Sequence, residues 1–146
     1  MKKFLQKKLK NEKGLTLVEL LAVIVILGII AAIAVPSIGN IIQNSREKAV
    51  LADATNAIEA ANLYFAEHPD KGTVALEKSG DVDGLETEYL QKSSLKSATV
   101  KKQDDNSLTI TFSGIAGKKT VSADDATKKD LSDKTDKIKI EKTTNP

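Results

Sequence analysis

The chain has no cysteine and no tryptophan, only three prolines and one histidine, and aromatic residues fill 3% of its 146 positions. Without cysteine there is no disulfide framework, no thiol nucleophile and no Cys-ligated zinc site. The lone histidine, His68, leaves no cluster for a His-rich metal site or a His-based proton relay. These absences exclude most enzyme chemistry, and neither catalytic residues nor a cofactor are expected.

What the chain does have is unevenly distributed. Apolar residues make up 40% and charged residues 29%, and most of the apolar content lies between Leu15 and Val35. The net charge of +2 hides a similar asymmetry. The first fourteen residues hold six lysines and one glutamate, leaving 16 basic side chains against 19 acidic ones in the remainder. The basicity therefore belongs to the leader, and the pI gives no ground for a general nucleic-acid-binding role.

From Leu20 to Val35 (LLAVIVILGIIAAIAV) no side chain is charged. Counted from Leu15, the apolar stretch would reach roughly 30 Å as a helix, about the hydrocarbon thickness of a bilayer. Lysines crowd its amino side, so the positive-inside rule keeps that end cytoplasmic and sends the carboxyl side outward. Two processing routes are open. Ala32-Ile33-Ala34 supplies the small-x-small element of an ordinary secretory signal, with a mature chain starting at Val35. Against that route, the lysine leader ends sharply at Gly14 and a carboxylate, Glu19, sits inside the apolar stretch. An acidic group near a bilayer centre costs about 2.5–3.5 kcal/mol on insertion scales, and a segment needed only for translocation has no reason to keep it.

Glu19 has two readings. In the first it completes a capping box with Thr16 as N-cap, the pattern [ST]-x-x-[DE] before an apolar run. In the second, cleavage after Gly14 exposes an α-ammonium on Leu15, one helical turn from Glu19. The two charges would compensate each other in lipid or a packed apolar core, within one chain or between neighbours. Pairing between neighbours would set axial register, because Glu19 is the only carboxylate in the apolar region.

Lys13-Gly14-Leu15-Thr16-Leu17-Val18-Glu19, followed by an apolar helix containing Gly28 and Pro36, resembles the class III signal of type IV pilins and type II secretion pseudopilins. The resemblance is specific over residues 7–65 and architectural beyond. It implies that a prepilin peptidase cuts after Gly14 and N-methylates Leu15, and that Glu19 engages the amino terminus of an adjacent subunit. It also implies that the helix between Gly28 and Pro36 can unwind when subunits pack into a filament. Leu15 stands where phenylalanine is commoner in the family, an apolar-for-apolar exchange. The disulfide that closes the distal loop in many members has no counterpart in this chain.

Downstream, Pro36 removes a backbone hydrogen bond and predicts a kink, with Gly28 and Gly39 adding local freedom. Val50, Ala54, Ala57, Ile58, Ala61 and Phe65 then form one helical stripe, with Arg46, Lys48, Asn56 and Glu59 on other faces. His68-Pro69-Asp70-Lys71-Gly72 ends the helix, and His68 reads as a helix-end residue. The period then changes to two. Leu108, Ile110 and Phe112 alternate with threonines, Ala98 and Val100 precede them, and Gln103-Asp104-Asp105-Asn106 joins the two runs as a hairpin. Gly114 and Gly117 are expected to bracket a further turn before a strand near Lys118–Ser122. Ala123–Asp136 reads as a surface loop or short helix, and Ile138 and Ile140 mark a late strand. Asp81-x-Asp83-Gly84, with Glu86 and Glu88 nearby, is a fragment of a calcium-loop pattern without the full ligand spacing. It reads as a turn with solvated acids, so no metal is expected. The pairs Lys101-Lys102, Lys118-Lys119 and Lys128-Lys129 could touch DNA phosphates, but interleaved aspartates and few aromatics favour solvated surface, and DNA is not indicated as a partner.

The expected fold is α+β and pilin-like: a long kinked amino-terminal helix packed on a small antiparallel sheet of about four strands. The expected organisation is a cleaved leader over 1–14, the transmembrane and filament-core half of the helix over 15–36, its amphipathic half over 37–68, and a loop with a β head over 73–146. The resemblance implies a major pilin, a non-enzymatic structural subunit of a type IV pilus-like filament. The alternative is a competence or type II secretion pseudopilin acting in DNA uptake or export. The implied partners are other pilin subunits, prepilin peptidase, an inner-membrane assembly platform with its motor, and the bilayer before assembly. The precursor would sit in the inner membrane with its amino terminus inside, and the assembled subunit would be extracellular.

Overall fold

Alanine, leucine and lysine are frequent in the first half of the chain and favour helix. Helix α1 accordingly spans Lys2–Glu67. The computed structural model describes residues 2–77, 82–85, 89–90 and 93–143, with side chains from residue 16 onward. Contacts divide the chain into two units, Met1–Ile41 and Ile42–Pro146.

In the first unit the helical assignment continues unbroken through Gly28 and Pro36. Proline cannot donate to the carbonyl one turn back, yet the helix continues past this one missing bond. Thr16 and Glu19 lie well inside α1. Thr16 therefore does not occupy an N-cap. Residues 2–15 continue the helix past it, and the capping-box reading of Thr16 and Glu19 fails.

In the second unit the apolar stripe of α1 is buried as its spacing predicts. Ala54, Ala57 and Ala61 are fully covered, with Val50, Ile58 and Phe65 beside them. Alanines make this face slim and leave room for sheet side chains. The helix stops where Pro69 restricts the backbone of His68, and the His68 ring stacks on Tyr64 with centroids 4.5 Å apart.

Among the described residues, five antiparallel strands follow in the order β1-β2-β3-β4-β5. They are β1 (Thr73–Ala75), β2 (Leu95–Lys102), β3 (Leu108–Ala116), β4 (Lys119–Ala126) and β5 (Ile138–Lys142). The strand beyond the expected four is β1, whose three residues are too short to show alternation. The β2–β3 hairpin closes through Gln103–Ser107. Asn106 adopts a left-handed φ of 64° there, and the Ser107 N–H donates to the Asp105 carboxylate at 2.9 Å.

The expectation for Gly114 fails. It lies inside β3, opposite Leu95 and Val121, and does not flank a turn. Its role is to keep space for the helix, because a Cβ built there would sit 2.6 Å from Val50 Cγ1 and 3.3 Å from Leu95 Cδ2. Gly114→Val should therefore force α1 and β3 apart and destabilise the head by about 1–3 kcal/mol, as overpacking does. A denaturation midpoint unchanged from wild type would contradict this packing. Gly117 does occupy a turn, with φ +63° at the first position of the two-residue β3–β4 connection, where two-residue hairpins favour glycine.

A bulge in β4 places Asp124 and Asp125 opposite Thr111. Asp125 has φ 45°, and its N–H donates to Thr111 Oγ1 at 3.2 Å. Of the two readings of Ala123–Asp136, the short helix is the one adopted: β4 runs on to Ala126 and helix α2 spans Lys128–Asp133. Thr127 caps α2 in a complete capping box with Asp130. Hydrogen bonds from the Thr127 backbone and hydroxyl, with Lys137 close by, hold the Asp130 carboxyl well below the usual range. Buried Leu131 pins α2 to the apolar cluster that joins helix α1 to the inner face of the sheet.

Candidate functional site

The site begins with the apolar stretch of α1. Every large apolar side chain from Leu17 to Ile42 is exposed, from 47% at Ile42 to 71% at Ile33. An 18-residue window within the helix has mean hydropathy 3.0, and none of it is buried. By length and composition it is the one helix, among the described residues, able to cross a membrane. Soluble monomers rarely leave contiguous apolar surface of this extent open, and where they do it marks a contact with lipid or protein.

Glu19 lies on this surface, exposed, and makes no salt bridge among the described residues. Gly14 and Leu15 belong to the same helix, but their side chains fall outside the described residues. A Cβ built on Gly28 would meet no heavy atom within 4 Å. Gly28 therefore relieves no clash within its own chain, and with Ala32 four residues on it offers a low surface where another helix can approach closely.

Sequence reasoning missed a polar clasp in the head. Glu47 is buried, yet Lys119 Nζ lies 2.9 Å from its Oε1 and Gln43 Nε2 donates to the same oxygen at 3.2 Å. Gln43 Nε2 also donates to the Ala116 carbonyl at 2.6 Å. The clasp thus ties α1 to the β3–β4 hairpin. The Lys119 hydrogen bond holds the Glu47 carboxyl below its usual range although burial pushes it up. A signal was present, since Glu47 precedes Val50, Leu51 and Ala54 at helical spacing and so falls on the apolar stripe.

At the other end of the head helix, the Tyr64 hydroxyl donates to Asp83 Oδ2 at 2.5 Å, and Lys71 Nζ stands 3.6 Å from the same oxygen. The Tyr89 hydroxyl donates to Glu67. Asp83, one member of the calcium-loop fragment, is thus engaged by Tyr64 and Lys71, whereas Asp81, Glu86 and Glu88 lie outside the described residues. Among the described residues no group of three or more potential metal-binding side chains converges.

Burial, followed by the Asp83 hydrogen bond and charge, pushes the Tyr64 phenol up to about 12 from 10. The folded state therefore keeps its proton while the unfolded state releases it. This stabilising contribution is complete below about pH 10 and is lost as pH rises towards about 12. Tyr64→Phe should flatten the loss of stability between those values, read as the urea midpoint by circular dichroism. An equally steep alkaline loss in both proteins would remove Tyr64 as its source.

Comparison with known proteins agrees with this geometry. Residues 9–35 match the family model described as the prokaryotic N-terminal methylation motif. The chain is 37% identical over 90 residues to Fimbrial protein Q of Moraxella bovis, an alignment covering 60% of this chain and 57% of that relative. No solved structure matches the chain. The methylation motif and the fimbrial relative thus make this chain similar to type IV pilins over its amino-terminal part, and the observed α+β arrangement of a long amino-terminal helix with an antiparallel sheet is consistent with that likeness.

Proposed function

We propose that the protein is a major pilin, a structural subunit that polymerises with copies of itself into a type IV pilus-like extracellular filament. A prepilin peptidase cuts the precursor after Gly14 and methylates the new amino terminus at Leu15. Before assembly the apolar helix holds the chain in the inner membrane as a single-pass precursor with its lysine-rich end inside. An assembly platform and motor then move it into the filament. The supporting observation is the uncovered apolar surface of α1 from Leu17 to Ile42, which carries a carboxylate at Glu19.

Lipid is itself apolar, so hydrophobicity alone does not draw the helix out of the bilayer. Selectivity must come from helix packing and from the Glu19 carboxylate meeting the Leu15 ammonium of a neighbour. Gly28 and Pro36 supply the compliance the helix needs as it packs. The role is assembly and not catalysis. Electron microscopy of material sheared from the surface of expressing cells tests this reading. Filaments containing the chain are expected, and a chain found only as a solitary membrane protein would overturn it.

A further inference from the structure

One flank of the head carries two opposite charge features set apart along helix α1. A groove of about 400 Å³ is lined by Lys48 and Thr55 of α1 and by Lys128, Leu131, Ser132 and Lys134 from α2 and its end. Lys128 is tied to Glu59, whereas Lys48 and Lys134 form no salt bridge among the described residues. The groove thus offers the ammonium groups of Lys48 and Lys134, the latter also attracted to Glu47, above a floor that includes buried Leu131.

Further along the same helix a second depression is lined by Asn62 together with Asn106 and Ser107 of the β2–β3 hairpin. The hairpin tip, Asp104-Asp105, is exposed, and neither carboxylate makes a salt bridge among the described residues. Hydrogen bonds from Ser107 hold the Asp105 carboxyl below its usual range. Lys128 lines both depressions, and Lys129 lines the second beside the hairpin. Fourteen residues of helix separate Lys48 from Asn62, roughly 21 Å at 1.5 Å per residue. That exceeds the Debye length of about 8 Å at physiological salt, so the tip contributes little at the Lys48 end of its own groove.

We propose that the Asp104–Asp105 hairpin tip of one copy docks into the Lys48–Lys134 groove of a second copy. The inference rests on the assembly reading, in which apolar helices bundle side by side. Copies with parallel helices, staggered along the axis, bring one tip to the next groove. The two patches differ, so the contact is heterologous. Each copy keeps a free tip or a free groove, and such contacts extend into an open chain instead of closing a dimer. Charge pairs at an exposed rim add little raw affinity, but they set orientation and weaken as salt rises. The docking therefore specifies the stagger of the heads, and helix packing supplies most of the cohesion.

Charge reversal in the full chain tests it. Asp104→Lys with Asp105→Lys should lower filament yield on cells at least about fivefold without changing the processed mass, and Lys48→Glu with Lys134→Glu should do the same. Combining all four substitutions should restore most of the yield. Wild-type yield from either pair, or no rescue by the combination, overturns the docking. A separate measurement keeps failure of the docking distinct from failure of the pilin assignment. Because the chain has no cysteine, Asp104→Cys with Lys48→Cys in one full-length chain places two unique thiols. A short bismaleimide applied to membranes or filaments should then give a ladder of cross-linked species, whereas each single variant stops at dimers. Absence of the ladder overturns the docking even where filaments form. Its presence without filaments supports the docking while rejecting the filament. Duplex DNA retained by the wild-type chain and lost on Lys48→Glu with Lys134→Glu, with Asp104→Lys and Asp105→Lys neutral for filament yield, would assign the groove to a polyanion and also overturn the proposal.

Discussion

Glu19→Ala is expected to yield protein that is inserted and cleaved normally but assembles at least about tenfold less filament than wild type. The physical asymmetry makes the result easy to interpret. A carboxylate within the apolar span costs about 2.5–3.5 kcal/mol on insertion scales, so its removal makes membrane entry easier and cannot by itself reduce the pool of precursor. What disappears is the only negative charge between Leu15 and Val35, and with it the counter-ion proposed for the Leu15 amine. Processing is read from the intact mass and assembly from sheared filament protein. Full filament yield from Glu19→Ala would remove the proposed pairing.

The second large effect lies in the head. Phe112 is 3% exposed and sits in the apolar cluster shared by α1 and the sheet. Truncating it to alanine removes an aromatic ring from the centre of β3, where it pairs with Ala98 on β2 and Ala123 on β4. Those small neighbours have little side chain with which to refill the space. A loss of about 3–5 kcal/mol is expected, a large share of the 5–15 kcal/mol that holds an ordinary domain together. Urea unfolding of Phe112→Ala followed by circular dichroism gives the value, and a loss under about 1 kcal/mol would mean that the ring is not packed as described.

Much of this architecture was legible because its signals are periodic. The alanine-rich stripe from Val50 to Phe65 and the alternation at Leu108, Ile110 and Phe112 each state a period and a buried face. The acidic hairpin at Gln103–Asn106 states a turn. Other features depend on long-range pairing that no local window records. Strand β1 is too short to alternate, and it exists because Val74 pairs with Val100. Gly114 resembles a turn residue locally, and only the approach of Val50 shows why a side chain cannot stand there. Glu47 was passed over because a carboxylate on an apolar stripe makes sense only once Lys119, far along the chain, arrives beside it. In the candidate site the apolar run and Glu19 could be read directly, since neither depends on tertiary contact. The groove beside Lys48 and Lys134 could not, because α2 reaches α1 only through the folded sheet.

The central claim is that scission after Gly14 creates the charge that Glu19 answers. Intact mass and terminal sequencing of the mature protein test it most directly. The account predicts a chain beginning at Leu15 with a methylated amine. A native product beginning at Met1 with its lysines retained, or at Val35 with the apolar helix removed, would contradict it.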